Sequence, residues 1–424
     1  MCGFSFTVFL SAFQLLPTAP FRVLALGGSQ FAAGLFLGFL TYASALSAPF
    51  TGALADRFGK RRILIIASLV IAVFSTSYAV IPTVPLLLGL VLVHGVFWSA
   101  LMTASAAYLT DLIPSHRRGE GIGYYGVSTI LAISVAPSIG LWIYQFGWVA
   151  VCVSAALLNL AMTFIALQLE EVHVQPLHGP FFHADLVEWR VFGMALTLFL
   201  YAFGYGGITS FVALYATANA VTPAGIYFTA FAIATILTRP FAGPLGDRVG
   251  HVRVLVPCLA LVVVGYTLLA LGGTRPWLLA SAIVFGIGFG SAYPMFAAHI
   301  MRHVDTERRG AAFGGILAAL DTGVGSGSIV TGWIINRYGF PAAYATAACL
   351  AALSIPYFLI ADRQLLWNRA LSPEEEEEGG RRKRVTCTLP PASFLLPPDP
   401  AYTYVTLLRL VCARRTSDVS RFER

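Results

Sequence analysis

The sequence predicts an all-α integral membrane protein, with twelve transmembrane helices arranged as two parallel six-helix halves. Three observations predict it. Charged residues make up only 11% of the 424-residue chain and hydrophobic ones 57%, with a mean hydropathy of +0.76, whereas a soluble domain is about a quarter charged. Twelve apolar runs approach or exceed the roughly 20 residues that cross a hydrocarbon core. The charged turns between these runs recur at a fixed offset, so the second six runs repeat the first.

In chain order, the first six runs fall at roughly 2–17, 30–55, 62–80, 84–110, 121–145 and 148–168. The first is short for a bilayer, as though the helix lacked its cytoplasmic end. It has neither a charged start nor a clear small-residue cleavage site ahead of Pro17 and Pro20, so it reads as a span and not as a secretory signal. The second six fall at roughly 191–217, 223–245, 252–271, 277–301, 310–335 and 341–361. The expected organisation is an N-terminal bundle over 1–168, a cytoplasmic linker over 169–190, a C-terminal bundle over 191–362 and a tail over 363–424. In the tail, the runs Glu374 to Glu378 and Arg381 to Arg384 and the prolines that follow cannot bury a core, so disorder is expected there.

Loop charge sets the orientation. With the chain starting inside, the cytoplasmic turns carry Arg57 to Arg62, Arg117, Arg118, Arg190, Arg248, Arg253, Arg302, Arg308 and Arg309, and the opposite turns only Arg22, Arg275 and Arg337. Short loops rich in Lys and Arg remain inside, which places both termini in the cytoplasm of a plasma (inner) membrane. The net charge of +7 is then loop charge and implies no nucleic-acid partner.

The repeat is legible at single-residue level. A shift of 191 positions carries Asp56-Arg57 onto Asp247-Arg248, Gly59 onto Gly250, Gly95 onto Gly286, and Arg117-Arg118-Gly119 onto Arg308-Arg309-Gly310. One further residue carries Gly140 and Gly147 onto Gly332 and Gly339.

The most distinctive stretch is Gly52-Ala-Leu-Ala-Asp56-Arg57-Phe-Gly59-Lys60-Arg61-Arg62. A turn this charged must face water, and Gly52 and Gly59 would let helices and turn approach closely. It resembles the signature loop between the second and third helices of the major facilitator superfamily, approximately G-x-L-A-D-R-x-G-R-K-x-x-L, and the match runs through Leu64. The resemblance covers about residues 1–362. It implies two six-helix halves around a central substrate site, and a gating role in which Asp56 engages the start of a helix from the other half and locks the outward-open state, with Arg57, Lys60 and Arg61 as its partners. Gly243, Asp247, Arg248 and Gly250 form a second copy with a diluted basic tail, expected to be a weaker latch.

Several chemistries are excluded. Gly59-Lys60 is not a phosphate-binding loop, because Leu54 and Arg61 stand where that motif needs glycine and a hydroxyl. The six cysteines are scattered singly, so neither a zinc site nor a disulfide framework is indicated. His173, His178 and His183 recur every five residues among prolines, the wrong spacing for helical ligands, and no metal or cofactor is expected. An embedded enzyme or sensor would need a catalytic cluster that the sequence does not contain.

Ionisable groups at membrane depth are costly and therefore functional candidates. Asp321 lies about eleven residues into the eleventh run, roughly 16 Å deep at 1.5 Å per residue, and Arg239 roughly 12 Å deep in the eighth. Matching depths make them candidates for a coupling pair, in which proton arrival on Asp321 would release Arg239; the alternatives are a permanent ion pair or an Arg239 that snorkels to water. His94 is a third coupling candidate. His94, Trp98 and Met102 are spaced to share a helical face and map onto Phe285, Phe289 and Tyr293, while Leu10 and Gln14 map onto Tyr201 and Tyr205. By the resemblance these runs line the central cavity, so Gln14, Trp98, Tyr201, Tyr205, Phe289 and Tyr293 are the substrate-cavity candidates. A pocket rich in aromatic rings suits amphipathic organic molecules, including cations.

Two departures from the drug-antiporter branch stand out: Val91 occupies its fourth-helix arginine position, and Ala132, Ala136-Pro137, Gly140 and Leu141 replace its fifth-helix glycine motif. His94-Gly95 and Arg118-Gly119-Glu120-Gly121 resemble a bacterial efflux branch that includes metallophore and sugar-efflux-like exporters. The expected function is secondary transport of a small amphipathic molecule by alternating access, as proton-coupled efflux by a monomer. A proton- or sodium-coupled metabolite importer is the alternative.

Overall fold

The computed structural model describes residues 1–113, 118–170, 189–301, 304 and 309–371; the linker histidines and the tail beyond 371 lie outside them. The described residues form α1 (Cys2–Leu15), α2 (Ala19–Ala25), α3 (Gln30–Phe58), α4 (Lys60–Val80), α5 (Val84–Leu112), α6 (Arg118–Tyr144), α7 (Trp148–Leu167), α8 (Trp189–Ala218), α9 (Ile226–Val249), α10 (His251–Leu271), α11 (Arg275–Met301) and α12 (Arg309–Leu371). No strand occurs among the described residues.

Eleven stretches are long and apolar enough to cross a membrane. The last, Gly314–Arg363, is 50 residues long, roughly twice what a bilayer takes. Its helix is broken at Gly339 (φ 82, ψ 174), which turns the chain back and divides α12 into limbs 309–338 and 340–371, restoring twelve crossings. Gly147, its counterpart in the repeat, turns the chain from α6 to α7 in the same way (φ 102, ψ 165). A side chain would resist either conformation.

The first span departs from its expected bounds. The run read as 2–17 continues through α2 to Ala25, giving a 24-residue crossing. Pro20 does not end it because it sits in the first turn of α2, where no backbone N–H is needed. Arg22, at the end of this span, donates through Nη2 to the Ile81 carbonyl at 3.0 Å.

In the first half α1 packs on α6 and α7, α3 on α5, and α4 on α5 and α7; in the second, α8 packs on α12, α10 on α11 and α12, and α9 on α11. Gly59 (φ 93) and Gly250 (φ 97) make the same tight reversal between α3 and α4 and between α9 and α10. These two turns define the latch end of the bundle, and the opposite end is called the far end. Pro49 in α3 and Pro240 in α9 are interior prolines at repeat-equivalent positions, each removing a helical hydrogen bond at the same level.

The halves meet through α3 against α12 and α6 against α9. Tyr42 and Ser326 share a hydrogen bond of 2.6 Å, the Ser328 hydroxyl donates to the Gly34 carbonyl at 3.0 Å, and Ser138 bonds Thr229 at 2.8 Å. Gln30 lies opposite Gly332 and Gly34 opposite Ser328, so α3 and the first limb of α12 run antiparallel and both Asp-Arg turns fall at one end. Every cross-half hydrogen bond and close glycine approach among the described residues lies in the far-end part of these helices. The apolar core there also joins the halves, with Phe211, Leu214, Ile334 and Ile335 packed among Leu15, Phe36 and Tyr78.

Candidate functional site

At the latch, the reversal at Gly59 brings Lys60, the first residue of α4, back beside the last turns of α3, and its Nζ lies 3.9 Å from the Asp56 carboxylate. Lys60 also pairs with Asp111 at the end of α5, and Arg61 donates to the Leu167 carbonyl at 2.7 Å. The turn therefore ties α3, α5 and α7 together within its own half. Such part-exposed pairs contribute at most about 1 kcal/mol each to stability, so their effect is to bias position. Asp111 was missed by sequence reasoning because its partner is 51 positions away, and only its place at the water-facing end of a span hinted at a role. In the second copy Asp247 faces His251 at 3.8 Å, in the register of Asp56 and Lys60. Arg57 and Arg248 occupy the last turns of α3 and α9, where cations complement the helix dipole.

Gly52 and Gly243 correct an expectation. A Cβ built on either meets nothing within 4 Å, so neither mediates close approach in this conformation. The small residues that do so lie at the far end, where a Gly38 side chain would collide with Ile329.

The coupling candidates separate. His94 is buried on the α4 side of α5: Nδ1 shares a 2.8 Å hydrogen bond with the Tyr78 hydroxyl, and the ring packs 5.7 Å from Phe74. The Tyr78 carbonyl in turn accepts from Trp148 Nε1 at 2.8 Å. That is a helix-to-helix clamp, and His94 does not share the surroundings of Trp98, whose ring meets Phe9 edge-on at 5.8 Å. Four residues advance a helix by about 400°, enough for the two side chains to diverge toward different neighbours.

Asp321 and Arg239 do lie within the second half, but no ion pair joins them. Arg239 Nη1 donates to the Gly290 carbonyl at 3.2 Å. Tyr293, one turn beyond Gly290, lies near both the Asp321 carboxylate and the Arg239 guanidinium.

Beside these groups stands an aromatic wall. Tyr205 stacks on Phe289 at 4.3 Å, Tyr201 on Phe289 at 4.6 Å, and Phe285 on Phe289 at 5.1 Å. Phe231 of α9 closes it at 5.8 Å from Phe285, a member that sequence reasoning missed because α9 was read only for its charges. Tyr205, Phe289, Tyr293 and Trp98 remain part-accessible. Tyr201 and Gln14 do not. Tyr201 is 1% exposed and donates to the Phe289 carbonyl at 2.7 Å; Gln14 is fully buried, with Ser154 donating to its Oε1 at 3.2 Å. Gly140 of α6 lies against the Gln14 backbone, and the ring stack covers Tyr201. In the first half, Thr51, Ser99 and Thr103 form a hydroxyl cluster between α3 and α5, at 3.0 and 3.4 Å.

Among known proteins, the family model described as Major Facilitator Superfamily matches residues 1–219 and, in a second copy, 194–413. The chain is 26% identical over 342 residues to the MFS-type transporter YhhS of Escherichia coli (strain K12), covering 78% of this chain and 83% of that protein. It is 28% identical over 376 residues to the multi-drug resistance efflux pump PmrA of Streptococcus pneumoniae serotype 4, covering 83% and 92%. Among solved structures, the human organic anion transporter MFSD10 has a similar fold, with a TM-score of 0.64 at 17% identity, covering 84% of this chain and 97% of that one.

Proposed function

The chain belongs to the Major Facilitator Superfamily, and from that premise we propose that it exports small amphipathic organic molecules by alternating access, each cycle driven by proton entry. The coarser statement needs no proposal: the protein is a multi-pass membrane transporter of small molecules and not an enzyme.

The observation that carries the finer reading is the meeting of a part-accessible aromatic wall (Tyr205, Phe289), with Tyr293 one turn beyond Phe289, and an acid and a cation at membrane depth that are not paired with each other. The rings accept the apolar body or cationic head of a substrate. Proton binding to Asp321 removes its charge, relaxes its hold on Tyr293, and so frees Arg239 to change partner. A ligand shifts a two-state equilibrium only by binding the states differently, and the protonated and ionised forms of Asp321 supply that difference.

The described seam belongs to the far-end-closed state. With the latch end cytoplasmic, as the loop charges require, this is the inward-facing conformation, the one that loads substrate for export. Asp56 then has its own-half partner Lys60, and in the outward-facing state it exchanges that contact for the start of α12. Gly52 and Gly243, idle here, are free to pack when the latch end closes.

The test is flux in proteoliposomes containing the purified chain and a fluorescent amphipathic cation. Movement against an imposed proton gradient supports export. Accumulation down the gradient with the protons would make the protein an importer, and flux indifferent to the gradient would remove proton coupling.

A further inference from the structure

Two grooves lie on the outside of the bundle, away from the candidate site. One, of about 710 Å³, runs along α7 and is lined by Phe146, Val149, Ala150, Val153 and Leu157 among others. The other, of about 520 Å³, has two walls: Thr267, Ala270 and Leu271 of α10, and Pro341, Ala345 and Cys349, among others, of the second limb of α12. Under the repeat shift of 192 positions, Val149, Ala150, Val153 and Leu157 fall on Pro341, Ala342, Ala345 and Cys349, all of which line the second groove. The fold therefore places a membrane-facing groove along the same helix face in each half, within the volume range of ligand pockets.

Both grooves start at the far end. Beside the first, Trp142 meets Phe146 edge-on at 5.6 Å; beside the second, Trp333 meets Tyr338, the repeat equivalent of Phe146, at 6.2 Å, and all four rings are exposed. Exposed aromatics of this kind mark the membrane–water interface. From there the second groove descends from Pro341 to Cys349, roughly 12 Å into the bilayer at 1.5 Å per residue.

The rims differ in charge. Arg275 follows Leu271 by four residues and Arg337 precedes Pro341 by four, and both are exposed. Four residues span at most about 14 Å, so both arginines stand within that distance of the groove's far-end rim. Their counterparts at the first are Val84 and Gln145. The loop-charge reading found only three cations at the far end, and two of them stand here.

We propose that the groove between α10 and the second limb of α12 is a binding site for one anionic phospholipid of the far-end leaflet, its acyl chain between the two helix walls and its phosphate between Arg275 and Arg337. The first groove has one helix wall and a neutral rim, and takes bilayer lipid without regard to headgroup. Two arginines near a headgroup each strengthen anionic-lipid binding, together by about ten- to thirtyfold.

The experiment is native mass spectrometry of the full-length chain titrated with phosphatidylglycerol or with phosphatidylcholine of the same acyl chains. The wild type is expected to bind one phosphatidylglycerol about tenfold or more in preference to phosphatidylcholine. The double variant Arg275→Val, Arg337→Gln, which gives the second groove the rim of the first, loses that preference. Ala345→Trp fills the groove and loses the bound lipid, whereas Ala150→Trp, the same change in the first groove, leaves the preference intact. Because Ala345→Trp can misfold, a second readout uses the native thiol: Cys349 is free and exposed, and phosphatidylglycerol should slow its labelling by a membrane-soluble maleimide at least severalfold more than phosphatidylcholine does. Equal binding of the two lipids by the wild type, a preference that survives the double substitution, displacement by soluble glycerol phosphate, or labelling of Cys349 that neither lipid slows more than the other would each overturn the proposal.

Discussion

The two halves share one backbone plan but are held together by different chemistry. In the first, α7 is bound to α4 by polar contacts: Asn159 donates to Ser75 at 2.9 Å and Thr163 to Ser68 at 2.9 Å, all four buried. At the positions that correspond under the repeat, the second half has Ala351, Tyr266, Ile355 and Leu259, and its core is a pile of rings around Phe285 and Phe289. The intramembrane charges are equally one-sided, since Asp321, Arg239 and Tyr293 correspond to Ile130, Ala48 and Met102. The first half thus staples α7 to α4 through buried polar side chains, and the second holds Asp321, Arg239 and Tyr293 beside its ring stack. A duplicated fold can divide labour in this way because close glycine contacts hold the shared geometry: a Cβ on Gly95 would lie 2.7 Å from Ala43, and one on Gly286 would lie 2.9 Å from Ala234.

The largest expected effect tests that division. Asp321→Asn should reduce gradient-driven flux by roughly a hundredfold, the scale of losing a positioned proton carrier, while Ile130→Asn in the first half should leave coupling in place. Equal losses in the two would dissolve the distinction. Next, Phe289→Ala should cost about 3 kcal/mol of stability by opening a cavity in the ring stack, read as a fall in Tm in detergent, whereas Trp98→Ala should cost clearly less. Gly34→Leu should cost about 1–3 kcal/mol by overpacking the seam, and should raise labelling of cysteines introduced at the far end as that end opens.

Smaller changes sharpen the picture. Asn159→Leu should cost about 1 kcal/mol, the usual value of an interhelical hydrogen bond in lipid, and should leave substrate affinity untouched. Tyr78→Phe removes the clamp on His94 and should cost about 1 kcal/mol with no change in the pH profile of flux; an altered profile would return His94 to the coupling machinery. Lys60→Met should change stability least of all, by less than about 1 kcal/mol, yet shift the inward–outward balance measured by spectroscopic distances between the halves.

Legibility in the sequence followed the kind of interaction. Spans, turns and the repeat were readable because apolar length, glycine position and loop charge act locally. The shift that aligned Asp56 with Asp247 and Gly147 with Gly339 also aligns their turns in space. The site was readable only in part. Tyr205 and Phe289 belong to one wall, whereas Gln14, Tyr201 and His94 are buried among neighbouring helices, and Phe231, Asp111 and the Thr51–Ser99 cluster went unseen. Helical spacing tells which residues share a face, but it does not say which neighbour that face meets.

The chain by itself determined that it crosses the membrane twelve times in two matching halves, because hydrophobic length and the cost of burying charge in lipid leave no other arrangement. Which half holds the ionisable groups apart, which end is sealed and where the grooves open were decided by tertiary packing. Those properties depend on contacts between residues hundreds of positions apart, such as Gly34 with Ser328, and such contacts leave no trace in local spacing.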